Sequence, residues 1–412
     1  MNVSNIIITE RDFNFKGFKK ISIKYSQLFH PSSRIKLESV NKLILDDVLG
    51  NSKFDKIIIK EAISILALKG NLLITFSTPK FNNFLKTKAF INNFKKFFNI
   101  IDSGQLENFD YSNFDSNSIN LKNRYSGFYI CINKIKSFEH LQSKITQWSF
   151  GIISNGKNDN QVDKIINSIL NMKVPQFEIK VCGEYRGKFK NKVKIIRLKK
   201  FDDKGWITKK KNKLVQNFKY ENCCIVHDRI IFDKNWYKGM IKWGNNFEHL
   251  GCTQKYLNKR TNDWLINERY FDIYFGFASL LDYQDWSSHA FIGGQLHIFK
   301  KSIFLNRGWN NFLFWNEAED YEISRYYNSK GHILRFNPYS EVNTLSSRYN
   351  DIPKMIFNPY KRSNKYKGNP MRILGRKAYR YLYTYKFFRN TLPTLFKSNF
   401  TVKIVKNIFK AF

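Results

Sequence analysis

The chain has 412 residues, which is enough for two or three domains, each with a core of its own. An apolar fraction of 42% and an aromatic fraction of 17% exclude a mainly disordered chain. Lysine and arginine outnumber acidic residues by 70 to 33, giving a formal charge of +37. Such a charge suits a nucleic acid, an anionic membrane or a phosphorylated substrate as partner, and it also describes a solvated basic surface.

The cysteines and the N-terminal residues bear on location. Five cysteines, an odd number without C-x-x-C spacing, predict neither a disulfide framework nor a zinc knuckle. The first ten residues carry no secretion signal, and no stretch approaches the ~20 apolar residues that span a bilayer. We therefore expect a cytoplasmic protein without a membrane-spanning segment.

An α/β domain is predicted over residues 1–140. Its predicted elements are a strand ending at Leu45, a helix through 60–66 that Gly70 ends, a strand at 72–74, a helix at 81–98 and a polar loop at 108–123. Residues 54–76 resemble the later half of a class I S-adenosylmethionine-dependent methyltransferase, which implies a Rossmann-like domain. Only Gly17 precedes Asp46, so the glycine-rich cofactor loop is missing and S-adenosylmethionine binding is not expected.

A second α/β unit is predicted from residue 148 onward. Its predicted strands are 149–153, 177–181, 193–198 and 222–226, and its predicted helices are 207–218 and one whose apolar face is Val162, Ile165, Ile166, Ile169 and Leu170. Strands that alternate with helices imply a mostly parallel sheet, with ligands beyond the carboxyl ends of the strands.

Three motifs in this unit carry residues suited to chemistry. Asp228 follows an apolar strand and is a candidate ligand for a cation that stabilises a diphosphate, or a cap of the next turn. Residues 205–212 open a helix with a lysine run, which suits a diphosphate or a solvated surface. Glu319 and Asp320 open another helix, where acids are favoured by the helix dipole and are also placed to deprotonate a hydroxyl.

The order of these motifs resembles that of family 2 glycosyltransferases and their GT-A relatives. The matching segments are 150–156 for the opening strand, 205–212 for the nucleotide helix, 226–229 for the D-x-D strand end, Gly293–Gly294 for the acceptor loop and 318–320 for the acidic helix, with Gly331 and a strand after it. The resemblance implies a GT-A nucleotide-diphospho-sugar transferase domain over 147–345, preceded by the smaller Rossmann-like domain and followed by a basic extension at 346–412.

The resemblance also assigns roles by position. Asp320 would be the catalytic base, Glu319 would contact the acceptor, and Asp228 would contact the diphosphate and a metal ion. The implied nucleotide-sugar-binding residues are Asn155, Glu184, Lys209, Asn212, His227, Asp228 and Arg229, and the implied acceptor-binding residues are Gly293, Gly294 and Trp315. Because His227 and Arg229 replace the outer acids of D-x-D, either Mn²⁺ or Mg²⁺ on Asp228, or the cations of Arg229 or Lys209, would neutralise the diphosphate.

The expected activity is transfer of a sugar from a nucleotide-sugar donor to a hydroxyl of a glycan or lipid-linked acceptor, with inversion, in cell-surface glycan or polysaccharide synthesis. From residue 361 the chain has fourteen lysines and arginines and no acid, which predicts a peripheral contact with the anionic inner membrane face. The alternatives are a bifunctional methyltransferase-glycosyltransferase and a non-enzymatic basic nucleic-acid-binding protein. The latter leaves the acids at 317–322 without a purpose, so a nucleic-acid partner is not expected.

Four further side chains have two interpretations each. His289 and His332 are ligands or acceptor contacts, or they are structural residues. Trp286 and Trp309 stack on sugar rings, or they pack in the core.

Overall fold

The computed structural model describes residues 5–9, 18–21, 36–51, 54–109, 126–198, 206–267, 278–313 and 318–345. Trp315 and the basic extension at 346–412 lie outside these residues, so their predicted roles stay predictions. We call residues 5–134 the N-terminal unit and residues 147–345 the C-terminal unit, since each is built around its own large sheet. Among the described residues, no helix is both long and apolar enough to cross a bilayer.

In its described residues, the N-terminal unit is a six-stranded sheet with two α-helices. Its elements are β1 (Asn5–Thr9), β2 (Lys19–Ile21), β3 (Val40–Asp46), α1 (Asp55–Ile65), β4 (Leu66–Ser77), α2 (Phe81–Asn92), β5 (Phe98–Gln105) and β6 (Gly127–Lys134). The strand order is β2-β1-β3-β4-β6-β5. The first four strands are parallel, and β6 is antiparallel to both of its neighbours. Long aliphatic runs in β1, β3 and β4 are buried, as parallel strands require.

Two predicted element ends in this unit are wrong. The helix expected to end at Gly70 ends at Ile65, and β4 begins at once and runs for 12 residues. A Cβ on Gly70 would lie 2.9–3.0 Å from three backbone carbonyl oxygens, so the glycine permits a close approach of neighbouring strands rather than a helix end. The helix expected over 81–98 ends at Asn92, and Phe98 begins β5.

The C-terminal unit contains a nine-stranded and a three-stranded sheet. Its elements are β7 (Gln147–Ile153), α3 (Asp159–Asn171), β8 (Gln176–Cys182), β9 (Lys194–Ile196), α4 (Ile207–Asn217), β10 (Asn222–His227), β11 (Ile230–Phe232), α5 (Trp236–Trp243), β12 (His249–Tyr256), β13 (Lys259–Arg260), β14 (Trp264–Asn267), β15 (Ala278–Leu280), β16 (Ala290–Ile292), β17 (Leu296–Lys300), α6 (Lys301–Asn306), α7 (Glu319–Ser329) and β18 (Leu334–Thr344). The expected alternation of strands and helices from 148 to 227 is confirmed.

The large sheet is mixed, and the expectation of a mostly parallel sheet is wrong. Its order is β11-β18-β12-β17-β10-β7-β8-β9, with β13 beside β12, and β15-β14-β16 form the small sheet. Strands β10, β7, β8 and β9 are parallel, whereas β17 is antiparallel to both β10 and β12. In the described residues, the connection from β12 to β17 contains short strands, and β17 runs in the opposite direction to β12.

Helices cover both faces of the large sheet. The face of α3 predicted from its apolar spacing is buried, with Leu170 half-buried at its margin. One core cluster contains Trp148, Trp236 and Trp243, and the opposite face carries Trp309 together with Phe299 and Phe304. The latter cluster continues into the N-terminal unit, so the two units share one core. All five cysteines are buried, and no disulfide joins them.

Buried ionic contacts also join the two units. Lys60 on α1 lies 2.9 Å from Glu248, which precedes β12, and these side chains are 4% and 5% exposed. Glu248 also accepts hydrogen bonds from His332 Nδ1 (2.8 Å) and from the backbone N–H of Ile333 (3.0 Å). We call Lys60, Glu248 and His332 the seam cluster. It attaches α1 to the residues that follow α7.

Candidate active site

The end of β10 is tied to a turn formed by residues 293–295. Asp228 follows the last strand residue, His227, whose backbone N–H donates to the carbonyl of Gln295 at 3.0 Å. On the other side of Asp228, Arg229 Nε donates to Gln295 Oε1 at 3.2 Å. Because β17 is antiparallel to β10, the turn that leads into β17 lies at the carboxyl end of β10. Asp228 is therefore held at this edge by contacts on both sides of it.

Asp320 contacts the same turn from the start of α7. Its Oδ2 accepts a hydrogen bond from the backbone N–H of Gly294 at 2.9 Å, and its Oδ1 accepts from the N–H of Tyr321 at 2.8 Å. Ala318, in the left-handed region with φ 56°, turns the chain into the helix. Asp320 thus contacts the 293–295 turn directly, and the two residues that flank Asp228, His227 and Arg229, contact the same turn.

Asp320 has the ionisation expected of a general base. Burial raises the pKa of its carboxyl group, and the charge of Glu319 raises it further. The N–H of Tyr321, the ammonium of Lys211 and the N–H of Gly294 oppose these effects, and the pKa of Asp320 is raised to about 7. A base with such a pKa is both ionised and able to hold a proton near neutral pH.

Glu319 is a buried partner of Lys211. Lys211 Nζ, on α4, lies 3.0 Å from Glu319 Oε1, and their side chains are 0% and 6% exposed. The same ammonium donates to the carbonyl of Gly294 at 3.0 Å and lies 5.2 Å from the ring centre of Trp309. Glu319, which the resemblance assigns to the acceptor, therefore has one oxygen committed to an internal ion pair.

The lysine run at the start of α4 is not a uniform solvated surface. Lys210 is 1% exposed, and its Nζ donates to the carbonyl of Ser154, just after β7, at 2.6 Å. Lys209 lies over the ring of Trp206 at 4.1 Å, and burial together with Lys213 lowers its pKa. The buried lysines Lys210 and Lys211 thus contact the turns on either side of the end of β10: Lys210 contacts Ser154, and Lys211 contacts Gly294.

Asn212 holds a loop that follows α6. Its Nδ2 donates to the carbonyl of Trp309 (2.7 Å) and to Asn311 Oδ1 (2.8 Å), and its Oδ1 accepts from the N–H of Trp309 (2.7 Å). Trp309 and Trp286 are 1% and 3% exposed, so both pack in the core rather than offering a face to a sugar. The side-chain amide of Asn212, which the resemblance assigns to the nucleotide, is thus already hydrogen-bonded to this loop.

Asn155 and Glu184 lie together at the ends of β7 and β8. Asn155 Oδ1 accepts from the N–H of Lys157 at 3.0 Å, and Glu184 pairs with Arg186 and Arg197, each at 3.3 Å. A Cβ on Gly156, whose φ is 76°, would lie 2.6 Å from the Cβ of Glu184, so these two turns touch. In the strand order they lie on the far side of β10 from the 293–295 turn.

The histidines away from the strand end have structural partners. His332 belongs to the seam cluster, and His289 Nδ1 lies 2.6 Å from Arg325 Nη1. His249 and His297 are buried side by side, with 3.1 Å between His249 Nε2 and His297 Nδ1. Burial lowers the pKa of His249 to about 3 and that of His297 well below its ordinary value, with Lys211 adding to both shifts, so both rings are neutral.

The donor set around Asp228 does not form a complete metal cage. The described residues contain no group of three histidines, cysteines or acids that could hold a metal ion. Asp228 supplies one carboxylate, with Arg229 beside it in sequence. Mn²⁺ or Mg²⁺ would need further ligands, such as the phosphate oxygens of a donor.

In the N-terminal unit, the acid at the end of β3 has internal partners. Asp46 is 1% exposed and accepts hydrogen bonds from Thr9 Oγ1 (2.9 Å) and Thr75 Oγ1 (3.2 Å). Residues 10–17, where a cofactor loop after β1 would lie, are outside the described part of the chain. The methyltransferase resemblance stays a prediction.

No protein-family model and no curated protein matches the chain. Among solved structures, it is similar to S. aureus TarS residues 1–349, with 14% identity, a TM-score of 0.31, and coverage of 49% of this chain and 58% of that chain. It is also similar to GalNAc-T7 with UDP, GalNAc and Mn²⁺, with 13% identity, a TM-score of 0.38, and coverage of 54% and 46%. Both are glycosyltransferases. The chain spans little more than half the length of the first and less than half of the second.

Proposed function

We propose that the C-terminal unit is a GT-A-type glycosyltransferase that moves a sugar from a nucleotide-sugar donor to a hydroxyl group with inversion. One observation carries the proposal. Asp320, with a pKa raised to about 7, contacts the 293–295 turn, and the residues on either side of the strand-end acid Asp228 contact the same turn. The motif order that resembles family 2 enzymes supports the same assignment.

The reaction needs a base on one side of the anomeric carbon and charge stabilisation on the other. The acceptor oxygen forms a bond to the anomeric carbon while the bond to the diphosphate breaks, and Asp320 takes the hydroxyl proton. The departing diphosphate carries the electrons of the broken bond. Arg229, and Asp228 through a cation, would face that growing charge, and only stabilisation stronger in the transition state accelerates the reaction.

The strand order suggests where each substrate binds. We place the nucleotide at the β7–β8 edge beside Asn155 and Glu184, and the acceptor beside Gly293 and Gly294, with the reacting bond near the end of β10. A glycan or lipid-linked hydroxyl, a role in cell-surface polysaccharide synthesis, and attachment of residues 346–412 to the inner membrane face complete the proposal.

The test starts from a screen of purified protein for hydrolysis and transfer with a panel of nucleotide sugars, with and without Mn²⁺. Asp320→Asn should abolish transfer while donor binding, measured by calorimetry, survives, because the amide keeps the shape but cannot take a proton. Asp282→Asn, at an exposed carboxylate, is the matched control and should keep full activity. An active Asp320→Asn variant would refute the role assigned to Asp320.

A further inference from the structure

Lys211 is a fully buried cation beside the proposed base, and the proposed mechanism does not use it. It comes from α4, and its Nζ lies 3.0 Å from both Glu319 Oε1 and the carbonyl oxygen of Gly294. Asp320 binds the N–H of that same glycine. Both backbone polar groups of Gly294 are therefore hydrogen-bonded: its carbonyl oxygen accepts from Lys211, and its N–H donates to Asp320.

Within the described residues, Lys211 forms one ion pair, with Glu319. Its ammonium faces the Trp309 ring, and the buried histidines His249 and His297 near it are neutral because burial and the lysine itself lower their pKa values. A buried ammonium requires a compensating charge. Glu319 supplies it at an ion-pair distance of 3.0 Å.

We propose that Lys211 is a positioning residue for Asp320: it holds Glu319 in a buried ion pair and fixes the Gly294 peptide, so that Asp320, and not Glu319, is the acid left to accept a proton. This inference rests on the proposed function, in which Asp320 is the base. It deepens that function by explaining why one of two neighbouring carboxylates is the proton acceptor.

The two acids are distinguished by their contacts. Glu319 has a cation at 3.0 Å, whereas Asp320 accepts hydrogen bonds from two neutral backbone N–H groups. The charged groups that act on Asp320 are Glu319, from its own helix, and Lys211, from α4. The negative neighbour makes Asp320 harder to ionise and the lysine makes it easier, so removing each in turn should shift its titration in opposite directions.

The experiment measures the protonation of Asp320 directly, in the whole protein and without substrate. Infrared difference spectra recorded over a pH series follow the C=O stretching band of protonated carboxylic acids. Wild-type protein should show a band that titrates near neutral pH. This band should be absent in Asp320→Asn and present in Glu319→Gln. In Glu319→Gln its midpoint should fall by about one pH unit or more, since the like charge is gone and Lys211 remains.

A double variant isolates Lys211. Lys211→Met alone leaves Glu319 buried without a cation, which strongly destabilises a fold, whereas Lys211→Met with Glu319→Gln removes both charges together. The midpoint of Asp320 should rise in the double variant relative to Glu319→Gln by about one pH unit or more, because only the cation differs. Far-UV circular dichroism checks that each variant is folded.

Two results would overturn the inference. The first is an equal midpoint in Glu319→Gln and in the double variant, since Lys211 would then have no effect on the base. The second is a neutral-pH band that survives Asp320→Asn and disappears in Glu319→Gln, since the proton would then reside on Glu319. Neither result depends on turnover, whereas the proposed function fails separately if Asp320→Asn still transfers sugar.

Discussion

Replacing Glu248 by glutamine should destabilise the fold by removing the only acid of the seam cluster. The change keeps the shape of the side chain, so it opens no cavity. It leaves the ammonium of Lys60, which is 4% exposed, without the carboxylate that lies 2.9 Å away. The glutamine can still accept the hydrogen bond from Ile333, so the loss is mainly that of charge compensation.

The size of the effect follows from burial. Removing one partner of a buried ion pair costs about 3–5 kcal/mol, because the remaining charge is left in a poorly solvating interior. That is a large share of a typical unfolding free energy of about 5–15 kcal/mol. An exposed pair gives the contrast: Lys136 and Glu139 are 58% and 70% exposed, and Glu139→Gln should cost less than about 1 kcal/mol.

The effect should also depend on pH. Burial acts to raise the pKa of Glu248, but Lys60 and His332 outweigh it and hold that pKa well below its ordinary value. A carboxyl group with a lowered pKa stabilises the folded state above its unfolded pKa, about 4.3, and this contribution is lost as the pH falls through the folded pKa. The difference between wild type and Glu248→Gln should therefore be full at neutral pH and shrink below about pH 4.3.

Urea unfolding measures this loss with two probes. All tryptophans lie between residues 148 and 315, so their fluorescence reports on the C-terminal unit, while far-UV circular dichroism reports on both units. A second variant, Lys60→Met with Glu248→Leu, removes both charges and should recover most of the stability. A loss below about 1 kcal/mol for Glu248→Gln, or a double variant as unstable as the single one, would refute the reasoning.

Three further predictions concern the site. The turnover number should fall as the pH drops through about 7, because Asp320 must be ionised to accept a proton; a pH-rate profile that is flat across this range contradicts the assignment. Gly294→Ala should lower turnover at least about tenfold, because its Cβ would lie 2.7 Å from Glu319 Oε1 and 3.3 Å from Asp320 Oδ2, while Gly104→Ala, with no contact under 3.8 Å, should not. Asn212→Ala removes three hydrogen bonds to the loop at 309–311 and should cost about 1–3 kcal/mol in urea unfolding, and an unchanged midpoint would exclude that role.

The parts of the fold that local periodicity determines could be predicted from the sequence. The apolar spacing around Ile165 predicts α3, and the abrupt change from apolar to charged residues at His227 predicts the end of β10. Both signals arise because one buried face repeats at the period of its own element. The direction of β17 has no such signal, since a buried strand has the same composition in either direction.

The charge network at the site could not be predicted in the same way. In a lysine-rich helix, Lys211 has the same local pattern as its neighbours, and only its tertiary contacts with Gly294 and Glu319 make it a buried partner of Glu319. Gly70 misleads for a related reason. A glycine after a helical pattern typically marks a helix end, but here its missing Cβ serves contact with a strand that is distant in sequence.

The contacts of α7 connect the N-terminal unit to the proposed chemistry. At its first turn, Asp320 is bound to Gly294 and Glu319 to Lys211; just beyond its last turn, His332 is bound to Glu248, which also holds Lys60 of the N-terminal unit. A Cβ on Gly331 would lie 2.6 Å from the ring of Phe94, so aromatic packing from the same unit fixes this end as well. A helix of 11 residues transmits a displacement of one end to the other, because its backbone hydrogen bonds keep it rigid. We therefore expect a weakened seam cluster to displace the start of α7, and with it the proposed base Asp320, and so to reduce turnover before it unfolds the C-terminal sheet.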